Sequence, residues 1–404
     1  MGFDIARLRG LFPALGDGWI HFDAQTGMQV PEAVAATVAV AMRTTVGAPG
    51  GKFPSALRGQ LIIDTAREAI ADLVGADAAG VVLGSSSAVL LARLAGALGS
   101  QLSLGTEVVV SRLDDHANIA PWQRVASQRG ASVRWAEIDI ETCELPEWQY
   151  ANLINESTKV VAVTAASGVL GTCPDVRAIA DRAHAVGALL VVDATSAAPF
   201  GPLDIEALGA DVLAVCSDRW GGPPIGALAF RDTDLLESLT SEAEDPSARG
   251  PQRLEVGVHQ YSLLAGLVAS VDHLAALCDS GQDSRRERLL ASMGEVASYQ
   301  AALRTRLADS LQALPQVLVL GGMNFGDAAR RVPTLSFTVN AVLADAVVQR
   351  MSDNGLCAVG SRPGDGVFDA LGVTEYGGAV QVGLGHYTTA LEVDKLVRVV
   401  ASFG

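Results

Sequence analysis

The chain is poor in lysine. Of its 29 basic residues only Lys52, Lys159 and Lys395 are lysines; the others are arginines. A reaction that needs a primary amine has just these to draw on, because an arginine guanidinium is delocalised and stays protonated. Cysteine is also scarce, with five residues at 143, 173, 216, 278 and 357 and no C-x-x-C pair. An odd, scattered set excludes a disulfide framework and a thiolate zinc site, and suits reduced thiols in the cytoplasm. Positive charge is outweighed, 29 basic against 45 acidic residues for a net −16, which argues against nucleic acid or an anionic membrane as partner. The longest apolar run, residues 261–278, is broken by Asp272 and His273, so a buried helix is expected there and no membrane span. The opening residues, MGFDIARLRGLFPALG, lack the apolar stretch of a signal peptide. G-x-G-x-x-G, the P-loop pattern, G-x-S-x-G and H-E-x-x-H are all missing, which removes the commonest nucleotide, hydrolase and zinc-protease readings.

The chain does carry a regular alternation. Short apolar runs at 80–84, 107–111, 160–166, 188–193 and 210–217 alternate with helical stretches that begin near Ser86, Asn118 and Pro174. Continuously apolar strands between helices predict an α/β fold, a mostly parallel sheet with helices on both faces. Ligands on such sheets bind beyond the carboxyl ends of the strands, where Ser85, Asp115, Ser167, Asp193 and Arg219 all fall. After residue 260, long helical stretches at 261–279 and 285–312 lead into fewer strands, which predicts a smaller α+β domain. The expected division is a large domain over 15–260 and a small one from 1–14 and 261–404.

Four ordered blocks resemble the class V aminotransferase and cysteine desulfurase group of pyridoxal phosphate (PLP) enzymes. IHFDAQTGMQVPEAV resembles the family's opening strand and helix, and SRLDDHANIAPWQ its E-H-H-A-N-x-x-P-W-Q segment. ASGVLGTCPDVRAIADRAHAVGALLVVDATSAAP resembles S-N-V-L-G-T followed by V-D-G-A-Q, and GLGHYTTALEVDKLV the closing strand and helix. The resemblance runs nearly end to end and implies a fold-type I PLP-transferase architecture. It also implies a homodimer with sites near the interface, PLP as cofactor and a small amino-acid-like ligand.

Carried over residue by residue, the resemblance keeps some positions and loses others. Asp193 matches the acid that faces the PLP pyridine nitrogen. Ser85, Ser86 and Ser87 lie at a strand-to-helix junction suited to a phosphate, although the same serines would serve as an ordinary N-cap. Ser167 opens the block matching S-N-V-L-G-T. The family's lysine precedes a Gly-Pro as K-x-x-G-P, and here RWGGP puts Arg219 in that slot. A guanidinium cannot form the covalent link that an amine makes with a carbonyl. The residue before it, a histidine in desulfurases, is Asp218. The stacking histidine falls on Asp115, with His116 next to it. Gly168 stands for the asparagine of S-N-V-L-G-T, and Ser196 for the glutamine of D-G-A-Q. Val258 replaces the threonine that a partner subunit lends to the phosphate, and His259 follows it in a segment near the family's site. Gln381 replaces the arginine that grips the substrate carboxylate, and Arg362 is a substrate-side candidate in the loop where a desulfurase keeps its nucleophilic cysteine. That loop has no cysteine; nearby Cys357 is read as core.

Three functions stay open at this point. One is a homologue that keeps the fold but lacks standard chemistry, with Arg219 turned into the emptied pocket and bonded to Asp193, Asp218 or Asp115. Another is a PLP enzyme that uses Lys52. The last holds PLP or pyridoxamine phosphate without a covalent tether, with Asp218 or His116 as base. No metal site is expected, since Asp114-Asp115-His116 is a spacing common by chance.

Overall fold

The apolar runs expected as strands line up in one seven-stranded sheet. The structure, a computed structural model, describes residues 3–321, 331–361 and 364–403. Its strands are β1 (Ile20–His21), β2 (Val81–Gly84), β3 (Glu107–Ser111), β4 (Ser132–Ala136), β5 (Thr158–Thr164), β6 (Leu189–Asp193), β7 (Val212–Cys216), β8 (Gly226–Phe230), β9 (Val317–Val319), β10 (Thr334–Val339), β11 (Leu356–Cys357), β12 (Val359–Gly360) and β13 (Val380–Gly383). The large sheet runs β2-β8-β7-β6-β5-β3-β4, with β8 alone antiparallel to its neighbours. β4 and β8 have no counterpart among the expected strands. β5, β6, β7 and β8 are buried almost throughout, which explains why they read as unbroken Val, Leu and Ala rather than as alternating residues.

Side chains from the two faces of this sheet enter two separate cores. One gathers Val109, Val161, Leu190 and Leu213, together with Ile70, Leu267 and Val296 from the helices over it. The other holds Val108, Val160, Val191 and Val212 under the helices Ser87–Leu98 and His116–Arg129. A third core lies under the antiparallel sheet β12-β13-β10-β9 and takes Leu303, Leu307, Phe337, Val382 and Leu396.

These cores do not each draw on one continuous stretch of chain. Helix Tyr261–Ala275 packs its Leu264, Leu267, Val271 and Leu274 into the first core, and Leu8 and Phe12 join it there. Phe22, just past β1, packs instead in the third core, because β1 pairs in parallel with β11 from near the other end of the chain. Helix Arg285–Gln312 belongs to both: Leu289, Met293 and Val296 face the first core, and Leu303, Leu307 and Leu311 the third. Helix 261–275 is apolar on most of its surface, so no polar stripe in its sequence indicates which core it joins.

Where the N-terminal segment, helix 261–275 and the loop after β13 meet, two histidines are buried together. The rings of His273 and His386 lie 5.7 Å apart, with Phe12 at 5.4 and 5.5 Å from them. His386 is fully enclosed, and neither of its ring nitrogens nor Nε2 of His273 has a hydrogen-bond partner among the described residues. Burial pushes His273 down to about 4 and His386 well below the ordinary histidine value. Both are neutral in the folded chain, whereas the unfolded chain protonates them near pH 6.5. Their contribution is therefore intact above that pH and is lost as pH falls towards 4. His273→Phe leaves no bond unmade and cannot charge. Relative to this variant, the wild type should lose roughly 3 kcal/mol of unfolding free energy between pH 7 and 4. Urea melts across that range check it, and parallel stability curves for the two proteins would contradict it.

Candidate functional site

The carboxyl ends of β3, β5, β6 and β7 converge on one cavity of about 860 Å³, closed on its far side by β12, β13 and the segment 364–367. Asp193, Arg219, Asp218, Asp115, His116, Ser86, Ser87, Ser167, Ser196 and Gln381 all line it. The strand-end rule thus gathers most of the expected residues.

Asp193 ends β6 and is almost wholly buried. Its Oδ1 accepts the Thr195 amide at 2.9 Å and the Thr195 hydroxyl. Burial is the largest influence on it and pushes it above the usual carboxylate range, while the Thr195 bonds and then the Arg219 guanidinium pull the other way. Asp114 is fully buried beside it, bonded by the Ser111 hydroxyl and by Asn118 Nδ2 at 2.6 Å. Burial raises it to about 7. Asp115 also lines the cavity while serving as the N-cap of helix 116–129, where it accepts the Ala117 amide at 2.8 Å. His116 opens that helix, and its Nε2 reaches the Gly364 carbonyl at 3.2 Å.

Arg219 lies in the turn Ser217–Trp220 directly after β7. The turn closes at Gly221, whose φ of +87° and whose position 2.5 Å (at Cβ) from the Gln29 carbonyl leave no room for a side chain. Arg219 does face the cavity, but its bonding differs from the expectation of pairing with Asp193, Asp218 or Asp115. Nη1 donates to the Gln25 carbonyl at 2.7 Å, and no ion pair to those acids forms among the described residues. The guanidinium is taken instead by a backbone carbonyl of the N-terminal segment. The cavity is left open rather than filled.

Ser86 caps helix 87–98 by accepting the Val89 amide at 3.2 Å. The Ser167 hydroxyl accepts the amides of Val169 and Leu170 and holds its own turn. Gln381 donates to the Gly168 carbonyl. A Cβ on Gly168 would come 2.8 Å from Ser196 Oγ, so glycine at 168 is what lets Ser196 sit where it does.

Ser85, Val258 and His259 are absent from this cavity. They line a second pocket of about 180 Å³ together with Glu255 and Arg93. Glu255 organises it, accepting Arg67 Nη2 at 3.0 and 2.8 Å, the Leu83 amide at 2.9 Å and His259 Nε2 at 3.1 Å. Burial pushes Glu255 up, but the His259 bond and the Arg67 guanidinium prevail and hold it below the usual range. His386 likewise does not line the main cavity, and Arg362 lies outside the described residues. Gln25, Asp114 and Thr195 line the cavity without having been singled out as ligands. Only Thr195 left a trace in the sequence, as a hydroxyl two residues past the strand-end acid.

Sheet order, strand-end cavity and the buried acid closing β6 together define an α/β protein of the fold-type I PLP-transferase class. The chain belongs to the family Aminotransferase class-V, whose sequence model matches residues 20–396. It is similar to the uncharacterized protein MT3887 of Mycobacterium tuberculosis, 53% identical over the full length of both. It is also similar to the aminotransferase-like protein FGM3 of Gibberella zeae, 30% identical over 98% of this chain and 97% of that one. Among solved structures, the apo cysteine desulfurase of Thermococcus onnurineus NA1 superposes with a TM-score of 0.87 at 22% identity, covering 98% of this chain and 97% of the other.

Members of this family normally bind PLP. None of the three lysines lines the cavity. Lys52 is exposed in the loop before helix Pro54–Val74, Lys159 is in β5 and Lys395 in the last helix.

Proposed function

We propose that this is a class V aminotransferase homologue that makes no covalent link to PLP and carries out neither standard transamination nor desulfuration. It acts instead as a homodimeric, cytoplasmic protein that binds a small amine-bearing ligand in the strand-end cavity. The observation that carries this reading is Arg219, which takes the cavity-facing position after β7 where the family keeps its amine. The cysteines support it: burial raises every thiol, Cys216 to about 12 and Cys143 and Cys173 to about 11. None is therefore poised as the thiolate nucleophile a desulfurase needs. Val40, Met42, Phe53, Leu57, Leu61 and Val258 are large apolar side chains left exposed on the helices and loops of 32–74 and 256–260, which supports a partner subunit there.

The test is a spectrum. Adding PLP to the purified protein should give no long-wavelength band, and borohydride reduction followed by peptide mapping should find no pyridoxyl group on Lys52, Lys159 or Lys395. A stable adduct on Lys52 would overturn the reading and establish the family's chemistry from another amine.

A further inference from the structure

Residues 5–29 form a strap from the first core to the cavity. Leu8 and Phe12 fix its first half in the core that helix 261–275 enters. Its second half brings Gln25 and Thr26 to the cavity wall. There the Gln25 carbonyl accepts Arg219 Nη1, and the Met28 amide donates to the Arg219 carbonyl at 3.4 Å. Both halves are tied to one residue of the loop after β13: Arg9 Nη1 donates to the Tyr387 carbonyl at 2.6 Å, and the Gln29 amide donates to the Tyr387 hydroxyl at 3.2 Å. Between these ties the strap's own strand, β1, is only two residues long.

His386 precedes Tyr387, and with His273 it packs against Phe12. Neither nitrogen of His386 nor Nε2 of His273 has a partner among the described residues, so an imidazolium formed here would lack an acceptor. It would lack a counter-charge too. The charged and titratable groups on the surrounding elements are engaged with one another: Arg9 with Glu392 at 2.9 Å, Asp272 with Arg285 at 3.3 Å, Tyr299 with the Thr388 carbonyl at 2.7 Å, and Tyr387 with Gln29. Burial alone lowers His273, and burial followed by His273 itself lowers His386. Lifting Phe12 off the two rings admits water, which removes that penalty on the charged form.

We propose that the histidine pair is an acid-sensitive latch: when it is protonated, the strap lifts from helix 261–275 and the loop 384–388, withdraws the Gln25 carbonyl from Arg219 and opens that wall of the cavity, while the large sheet stays folded. Such local opening needs less free energy than global unfolding. The sign follows from the two states. His273 titrates at about 4 when latched and near the ordinary 6.5 when released. Release is therefore favoured as pH falls below 6.5, by about twentyfold per histidine between pH 7 and 5.

The test is hydrogen exchange of the full wild-type chain, read by mass spectrometry at pH 7 and 5 and expressed relative to the unfolded chain at each pH. Protection of peptides covering 5–16 and 20–29 should fall by more than about twentyfold. At pH 5 these peptides should exchange while those covering β5, β6 and β7 stay protected. The fall should vanish in His273→Phe/His386→Phe. If thermal melts show that this variant is not folded, His386→Phe alone takes its place and should show a smaller fall than the wild type. Unchanged protection at pH 5 overturns the inference, as does exchange of strap and sheet together, which is global unfolding. A fall confined to 5–16 overturns it because the latch would not reach the cavity, and so does a fall undiminished in the folded variants.

Discussion

Arg67→Ala should lower the unfolding free energy by about 3–5 kcal/mol, the loss expected when one partner of a buried ion pair is removed. Arg67 spans from helix 54–74 to the edge of the large sheet, where its Nε donates to the Val81 carbonyl at 3.2 Å and its Nη2 grips both oxygens of Glu255. β2 has a neighbour on one side only, and on the other the Leu83 amide is satisfied by Glu255. Removing the guanidinium strands a buried carboxylate and releases the outer face of the strand that leads into helix 87–98. Denaturant melts measure the loss. The double variant Arg67→Met/Glu255→Gln should recover part of it, since the stranded charge is removed while the Gln carboxamide oxygen can still accept the Leu83 amide. A single variant that melts like the wild type would show that this pair fixes nothing.

The second large effect is chemical. Arg219→Lys puts an amine at the end of β7, facing the cavity. With pyridoxal and borohydride, the variant should carry at least about tenfold more label than the wild type, all of it at position 219, because a lysine can lose its proton and attack a carbonyl where an arginine cannot. Peptide mapping reads the position. Equal labelling of both proteins would mean that residue 219 does not face the cavity as described.

What could be seen in the sequence follows from which interactions are local. Strand ends and helix starts lie a few residues apart, so Asp193, Arg219, Asp115, His116 and Ser86 could be assigned to one site without knowing the sheet order. Ser85, Val258 and His259 defeat that reasoning. Ser85 is adjacent to Ser86, but it turns to the other side of the β2–helix junction, towards a pocket organised by Glu255 some 170 residues later. Gln25 was invisible for the same reason: it reaches the cavity only because the third core holds Phe22 and β1 in place. The bonding of Arg219 depended on a carbonyl, a group every residue has, and no side-chain pattern announces it. Helix 285–312 is a single continuous helical pattern in the sequence, and nothing in it announces that it serves two cores.

The pairing of β1 with β11 bears on the order in which the molecule can be made. Ile20 and His21 leave the ribosome long before their partners Leu356 and Cys357, and Asp23 bridges to Gly383 later still. During synthesis Phe22 has no core to enter, while the first sheet can assemble from neighbouring runs. Contacts this distant in sequence are slow to form, because the whole intervening chain must be ordered or looped to bring them together. The segment that carries Gln25 to the cavity is therefore set late, so the cavity is finished only after β11 and β13 have been made.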